Sequence, residues 1–359
     1  MFKPIDLLKI TLNEQLVGRM VLNKNNLAVF EYDKEWVENG FSISPFYLPL
    51  TAETFVAKQQ PFDGLFGVFN DSLPDGWGQL LLDRFLRSKG VDIRTLSVLD
   101  RLSLVGKSGM GALSYEPDNE IKFVDEQHNL DFFAKEIEKV LTVQDEDYLE
   151  LLIAKNGSSA GVRPKVIVRF ENELWLVKFP TQYDDSKIGE IEFNCSLMAK
   201  KCGIEVPESK LFNGKYFGSK LFDRTIEKRV HVHSASGLLY ASHRLPSLDY
   251  EDLLKLTRAL TNDFTEVEKL FKLMIFNILI KNRDDHAKNF SFKYDNQKWS
   301  LTPAYDLTPS YGFNGNHTTT VLGNGTPTES DILKLAKKIG LSIIKAKAII
   351  EEVKEVVLK

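Results

Sequence analysis

Three polar residues in the last quarter of the chain have the spacing that most constrains its fold. Asp284 and Asn289 are separated by four residues, and Asp306 follows further along. Residues 290–294 and 298–302 read as two short strands around a polar turn, which predicts a β-hairpin. We therefore expect the hairpin to deliver Asp306 to the segment that carries Asp284 and Asn289.

This arrangement is also that of a protein-kinase catalytic loop, in which an aspartate, an asparagine and a later aspartate act together. Asp284 would orient the attacking hydroxyl, and Asn289 and Asp306 would supply the hard oxygen ligands that Mg²⁺ prefers. Asp and Asn are common loop residues, however, so the spacing alone also fits an ordinary polar loop. The kinase hypothesis therefore requires a phosphate-binding loop and a strand lysine upstream.

The composition is typical of a globular protein. Of the 359 residues, 43% are hydrophobic and 27% are charged, which allows two or three domains. The net charge of −4 creates no strong attraction to nucleic acid or to an anionic membrane. Two cysteines form no disulfide framework, and the most apolar run, 270–280, is too short to span a bilayer. We expect a cytoplasmic protein that does not enter the membrane.

The chain divides into three predicted domains at 1–118, 119–222 and 223–359. The first is expected to be rich in short strands, because apolar and polar residues alternate at 8–12. Asp75, after a proline, is predicted to cap a helix.

A segment of small residues opens the predicted nucleotide-binding region. Residues 156–165 read Asn-Gly-Ser-Ser-Ala-Gly-Val-Arg-Pro-Lys, and small residues let backbone N–H groups approach a phosphate closely. A flexible linker is the alternative. Residues 165–170 and 174–179 predict a hairpin whose second strand carries Lys178. A lysine in such a strand meets ATP phosphates in kinases, and an edge lysine that reaches water is the alternative.

The following helix, 190–202, carries a glutamate that is a possible partner for the lysine. Lys178 and Glu192 are predicted to form the ion pair of a kinase, with Glu190 as the rival. Glutamate near a helix start is also favoured by the helix dipole alone.

Two helical regions complete the chain. Residues 265–268 form a capping-box pattern that predicts the start of a helix leading into the Asp284 loop. Residues 330–358 predict one or two amphipathic helices broken at Gly340. The lysines of this last region are expected to form a solvated face, and contact with DNA is the alternative.

Taken in order, these features resemble the HipA family, the kinase toxins of bacterial toxin–antitoxin modules. The most specific motif is Asp-Asp-His-Ala-Lys-Asn-Phe-Ser at 284–291. The other segments that carry the resemblance, which extends over nearly the whole chain, are 69–75, 111–113, 158–165, 177–180, 222–224 and 301–306.

The resemblance implies an α+β, protein-kinase-like bilobal fold. A mixed β/α amino-terminal lobe and a mostly helical carboxyl-terminal lobe would carry an appended β-rich amino-terminal subdomain. The implied activity is that of an ATP- and Mg²⁺-dependent serine/threonine kinase. The implied partners are a small HipB-like helix-turn-helix antitoxin, operator DNA bound through that antitoxin, and an aminoacyl-tRNA synthetase, notably the glutamyl enzyme, as substrate.

The resemblance also implies roles for individual residues. Asp284 would accept the proton, Asn289 and Asp306 would hold Mg²⁺, and Lys178 would bind the ATP phosphates. Ser158 corresponds to the loop serine that such kinases autophosphorylate to switch themselves off. The further nucleotide contacts that the resemblance implies are Ala160, Gly161, Val162, Arg163, Pro164 and Lys165 in the loop, Lys220, Leu221 and Phe222 in the connector, and His286, Lys288 and Tyr305. The adjacent Ser159 is an alternative site of modification.

Two other functions share these residues. A small-molecule or lipid kinase would use the same base and metal ligands, so the catalytic loop does not separate it from a protein kinase. A non-catalytic binding module with a kinase-like fold is the third possibility. The full set of Lys178, Asp284, Asn289 and Asp306 argues against it, because each is available for chemistry.

Overall fold

The computed structural model describes residues 4–121, 128–142, 148–156, 161–242, 244–246 and 248–359. The chain forms two compact units. Unit 1 comprises Met1–Gly189 and Leu211–His231, and unit 2 comprises Glu190–Lys210 and Val232–Lys359. The division into three domains at 1–118, 119–222 and 223–359 stays a prediction.

Short strands and helices follow one another along the chain. The first part contains β1 (Leu8–Leu12), β2 (Gln15–Leu22), β3 (Ala28–Tyr32), α1 (Lys34–Asn39), β4 (Thr54–Val56), α2 (Gly67–Asn70), α3 (Gly76–Ser88), a 3-10 helix (Ile93–Thr95), α4 (Val98–Val105), β5 (Leu113–Glu116), α5 (Leu130–Thr142), α6 (Leu149–Asn156), β6 (Lys165–Phe170) and β7 (Glu173–Lys178). The second contains α7 (Ile188–Lys201), β8 (Ser209–Phe212), β9 (Tyr216–Lys220), β10 (His231–Ser234), α8 (Ala235–Leu239), β11 (Leu248–Asp249), α9 (Tyr250–Thr261), α10 (Phe264–Ile280), a 3-10 helix (Ala287–Asn289), β12 (Ser291–Asp295), β13 (Lys298–Leu301), β14 (Thr319–Thr320), α11 (Glu329–Lys338) and α12 (Ile343–Val357).

The amino-terminal part of unit 1 is built on a five-stranded antiparallel sheet with strand order β4-β3-β2-β1-β5. The predicted alternation in β1 is confirmed, because Leu8 and Ile10 are fully buried while Lys9 between them is exposed. Successive side chains of a strand point to opposite faces, so one face of this sheet is the core face.

A second sheet in the order β6-β7-β9-β8 carries the predicted strand lysine. The predicted hairpin of β6 and β7 is confirmed, and its turn places Glu171 and Asn172 in the left-handed region. Val166 and Val177 from this hairpin share one apolar core with Trp77 of α3. Helix α3 therefore packs in the same core as the hairpin that carries Lys178.

The main core of unit 2 is built around α10, a helix with many apolar residues. Leu270, Phe271 and Met274 on this helix are fully buried in the unit's main core. No helix in the part of the chain that the structure describes is long and apolar enough to cross a membrane.

The predicted capping box at Thr265 is wrong, because α10 begins earlier. Asp263 is the N-cap residue, and its carboxylate accepts from the Thr265 N–H at 2.8 Å and from the Thr265 hydroxyl at 2.6 Å. An aspartate before the helix satisfies an amide that has no partner inside the helix. Thr265 is therefore inside the first turn.

The carboxyl-terminal helices α11 and α12 are separated at Gly340 in a left-handed conformation (φ +84°), as predicted. Two of their lysines pair with acids of unit 2: Lys338 Nζ lies 2.6 Å from Glu251, and Lys345 Nζ lies 2.5 Å from Glu268. These pairs neutralise positive charge on this surface, which favours the interpretation of a solvated face over a DNA-binding one.

Candidate active site

The end of α10 positions the predicted catalytic loop. The helix stops at Lys281, which adopts a left-handed conformation (φ +57°). The Asn282 N–H then donates back to the Asn277 carbonyl at 2.9 Å. This closure is a common way to end a helix, and it places the loop on a buried, rigid element.

Asp284 and Asn289 lie together within this loop. The Asn289 side-chain nitrogen donates to the backbone carbonyl of Asp284 at 2.7 Å. A side-chain amide has one nitrogen and one oxygen. Because the nitrogen donates to the Asp284 carbonyl, the Asn289 oxygen points away from that carbonyl and can serve as a metal ligand. The Asp284 residue itself is exposed, as a group that accepts a proton from a bound substrate must be.

The hairpin of β12 and β13 delivers Asp306 to the loop, as predicted. The Asn282 side chain donates to the Asp306 carbonyl at 3.0 Å, and Asp306 adopts a left-handed conformation (φ +55°). The Tyr305 hydroxyl donates to the Lys288 carbonyl at 2.6 Å. Both ends of the catalytic loop are therefore bonded to the segment that carries Asp306.

Asp285 makes several buried contacts in the candidate site that the sequence analysis did not predict. It is 1% exposed. One carboxylate oxygen contacts the Tyr250 hydroxyl at 2.8 Å and His317 Nδ1 at 2.9 Å. The other accepts from the Thr318 and Thr319 N–H groups at 2.9 and 3.2 Å. This one carboxylate bonds the predicted catalytic loop to α9 and to the 317–319 segment.

A chain of buried hydrogen bonds connects Asp285 to Asp306. The Tyr250 hydroxyl accepts from the Asn277 side chain at 3.2 Å, and the Asn277 oxygen accepts from Asn282 at 3.2 Å. Asn282 also donates to the Asp306 carbonyl. Burial, with the Asp285 charge, raises the pKa of Tyr250 well above its usual value, so the hydroxyl keeps its proton and donates to Asp285.

The oxygen donors of this loop fit Mg²⁺. Mg²⁺ usually binds one or two carboxylates and completes its shell with waters and phosphates. Asp306 and the Asn289 oxygen are such a set. Among the described residues there is no group of three or more His, Cys, Asp or Glu side chains that could hold a metal by themselves.

In unit 1, two buried lysines lie side by side on the β6–β7 hairpin. Lys165 is 2% exposed and Lys178 is 9% exposed, and they are directly opposite each other in the strand register. Two lysines at opposite positions of one hairpin can bind the oxygens of a polyphosphate.

The described part of the predicted nucleotide loop comes close to this lysine pair. Gly161 has φ +107°, and a Cβ there would lie 2.6 Å from Lys165 Nζ. The positive φ favours glycine at this position. Pro164 accepts from the Phe179 N–H at 2.8 Å, and Arg163 pairs with Asp184 at 3.1 Å. Val162 is 82% exposed. The predictions for Ser158, Ser159 and Ala160 lie outside the described residues.

The predicted connector is bonded to the strand that carries Lys178. The Lys220 ammonium pairs with Glu173 at 2.8 Å, and the Leu221 N–H donates to the Leu174 carbonyl at 2.9 Å. The side chain of Lys220 is therefore occupied within its own sheet.

Of the two glutamates that could pair with Lys178, Glu190 is exposed and Glu192 is 2% exposed, so burial favours Glu192. Its pairing with Lys178 stays a prediction. The other predicted nucleotide contacts, His286, Lys288 and Phe222, are half-buried or buried.

Comparison with known proteins covers most of the chain. Residues 8–116 match the HipA N-terminal domain, and residues 157–359 match the HipA-like C-terminal domain. "Putative kinase Y4mE" of Sinorhizobium fredii is 26% identical over 345 residues, which cover 84% of this chain and 77% of that protein. "Putative kinase Y4dM" of the same organism is 29% identical over 151 residues, 37% of this chain and only 36% of that protein's length.

A solved structure has the same fold. It is the complex of HipA, HipB and operator DNA from the Shewanella oneidensis MR-1 toxin–antitoxin system, and its similar chain gives a TM-score of 0.73 at 19% identity. The similarity covers 98% of this chain and 91% of that one. It confirms the predicted fold class, an α+β kinase-like fold with an added β-rich amino-terminal part. The chain belongs to the HipA family.

Proposed function

We propose that this chain is an ATP- and Mg²⁺-dependent serine/threonine-protein kinase that acts as the toxin of a HipA/HipB-like module. The observations that support this most are the hydrogen bond from Asn289 to the Asp284 carbonyl and the bond from Asn282, at the start of the same loop, to the Asp306 carbonyl. A base and an amide oxygen in one loop, with a carboxylate on the segment bonded to it, are the groups that phosphoryl transfer requires.

Each residue has one task in this proposal. Asp284 accepts the proton of the attacking serine or threonine hydroxyl and orients its oxygen toward the γ-phosphate. Asn289 and Asp306 would hold Mg²⁺, which would neutralise charge on the phosphates. Lys165 and Lys178 bind further phosphate oxygens in this proposal, since the two lysines occupy opposite positions in the strand register.

The remaining nucleotide contacts follow the family pattern. The loop from Ala160 to Lys165 would cover the phosphates. The connector would bind adenine through the backbone of Lys220 to Phe222, since the Lys220 ammonium is paired with Glu173. The other residues that we assign to nucleotide binding are His286, Lys288 and Tyr305.

The proposed partners are a HipB-like helix-turn-helix antitoxin and, through it, operator DNA. The similar HipA chain was solved in complex with HipB and its operator, which supports an indirect contact with DNA. The ion-paired lysines of α11 and α12 supply no strong basic surface of their own. We assign an aminoacyl-tRNA synthetase as the substrate from the family resemblance.

Incubation of the full chain with γ-labelled ATP and a bacterial extract tests the substrate class. We expect label in a protein band of the extract, recovered as phosphoserine or phosphothreonine after acid hydrolysis. Label that appears only in soluble small molecules would favour a small-molecule kinase. Label only in the lipid fraction would favour a lipid kinase, and no transfer would favour a non-catalytic module.

In the same incubation we expect label on the chain itself, at Ser158. Phosphopeptide mass spectrometry locates it, with Ser158→Ala and Ser159→Ala as matched variants. Loss of the modified peptide in the first variant alone is the expected result. Phosphate that persists in Ser158→Ala and disappears in Ser159→Ala would move the site by one residue.

A further inference from the structure

The first turn of α3 holds the described start of the predicted nucleotide loop. The Gly161 N–H donates to Asp75 Oδ1 at 2.5 Å, and the Gly161 carbonyl accepts from the Trp77 N–H at 3.0 Å. A Cβ on Gly76, between them, would lie 2.5 Å from the Gly161 oxygen. Three consecutive residues of α3 and its cap thus contact one residue of the loop.

The same helix also lies against Asn156, which precedes residues 157–160 in the chain. Asn156, the last residue of α6, is 1% exposed. A Cβ on Gly78 would lie 2.6 Å from its side-chain nitrogen. Close approach of this kind requires glycine. Residues 75–78 therefore lie against both Asn156 and Gly161.

Asp75 does not use its side chain as a helix cap. It occupies the N-cap position of α3, but its carboxylate makes no capping hydrogen bond with that helix. N-cap aspartates normally accept from the first-turn amides of their own helix, as Asp92 and Asp263 do in this chain. The Asp75 carboxylate instead accepts from Gly161, 86 residues away. This long-range bond explains an aspartate at this position.

We propose that Asp75 is a positioning residue for nucleotide binding, through which the amino-terminal domain fixes Gly161, the first described residue of the predicted loop, over the ATP phosphates. The inference rests on the proposed function, because it assumes that Gly161 and Lys165 contact the nucleotide. Both backbone groups of Gly161 are hydrogen-bonded, and a Cβ on Gly161 would lie 2.6 Å from Lys165 Nζ. A pre-organised loop loses less conformational entropy when the ligand binds.

The charge of Asp75 and its hydrogen bond are expected to have opposite effects on ATP binding. A carboxylate near the phosphates repels them, whereas the bond to Gly161 orders the loop. Replacement by asparagine separates the two effects, since it keeps an acceptor oxygen and removes the charge. If ordering dominates, Asp75→Ala weakens ATP binding and Asp75→Asn does not.

The test compares KM for ATP and kcat in the full chain and in three variants. We expect Asp75→Ala to raise KM by about tenfold, the effect of about 1.4 kcal/mol of binding free energy, with kcat nearly unchanged. Asp75→Asn should restore KM. Asp92→Ala is the matched control, because it removes an N-cap aspartate of the same domain whose carboxylate serves its own helix.

Several results would overturn the proposal. They are an unchanged or lower KM in Asp75→Ala, an equal rise in Asp92→Ala, and a fall in melting temperature with KM and kcat both retained. If the alanine variant does not fold, Asp75→Ser replaces it in the KM measurement, because serine is also favoured at helix N-caps. Failure of the unmutated chain to bind ATP would instead refute the proposed function.

Discussion

Replacement of Asp284 by alanine is expected to lower the rate of ATP-dependent phosphoryl transfer by about 10²–10⁴-fold, the usual contribution of a general base. The fold should be retained, because the residue is exposed and Asn289 bonds to the Asp284 backbone carbonyl rather than to its side chain. Initial rates and melting curves of the purified full chain measure the two properties.

The control for this prediction is Asp252→Ala, which removes an exposed carboxylate from the first turn of α9. It should change the rate by less than about twofold. A rate in Asp284→Ala close to that of the unmutated chain would remove Asp284 from the catalytic role. A large loss in both variants would indicate that the assay reports folding instead of chemistry.

Replacement of the adjacent Asp285 should have the converse effect, a loss of stability. Its carboxylate receives hydrogen bonds from Tyr250, Thr318 and Thr319 and contacts His317. Alanine would leave these buried donors without their acceptor, which costs about 1–3 kcal/mol for one such group and more where the lost acceptor is charged. We expect Asp285→Ala to lower the free energy of unfolding by at least about 3 kcal/mol.

Urea denaturation measures this effect, with Asp284→Ala as the matched control. The two residues are neighbours of the same type, yet Asp284 is exposed and Asp285 is buried. Asp285→Asn should fall between alanine and the unmutated chain, since it keeps an oxygen for the threonine amides but loses the charge. Equal stability of Asp284→Ala and Asp285→Ala would show that the buried network does not hold the loop.

Local patterns were sufficient to predict the elements that carry the candidate site. The β12–β13 hairpin follows from its polar turn, where Asn296 and Gln297 adopt the left-handed conformations of a tight hairpin turn. The break at Gly340 follows from the permissiveness of glycine. In both cases the deciding residues are adjacent in the chain.

The start of α10 shows where local patterns are ambiguous. Asp263 and Thr265 are both good N-cap residues, and the glutamate pattern after Thr265 favoured the wrong one. Asp263 forms the cap because its carboxylate reaches both the amide and the hydroxyl of Thr265. Asp263 and Thr265 are both suitable N-cap residues, and only this hydrogen-bond geometry distinguishes them.

The partners of the two most informative carboxylates could not be predicted, because they are distant in sequence. Asp285 meets His317 and Tyr250, 32 and 35 residues away, and Asp75 meets Gly161, 86 residues away. Nothing in the run Asp284-Asp285 shows which of the two aspartates is exposed and which is buried. Only the packing of the loop against α9 and the 317–319 segment separates them.

Isothermal titration calorimetry of the full chain with ATP, in the presence and absence of Mg²⁺, tests the central claim most directly. We predict saturable binding that requires Mg²⁺. It should be weakened by at least about tenfold in Lys178→Ala and in Asp306→Ala, since each removes a charged contact to the phosphates or the metal. Absence of binding, or binding that neither variant changes, would contradict the assignment of these residues to an ATP site.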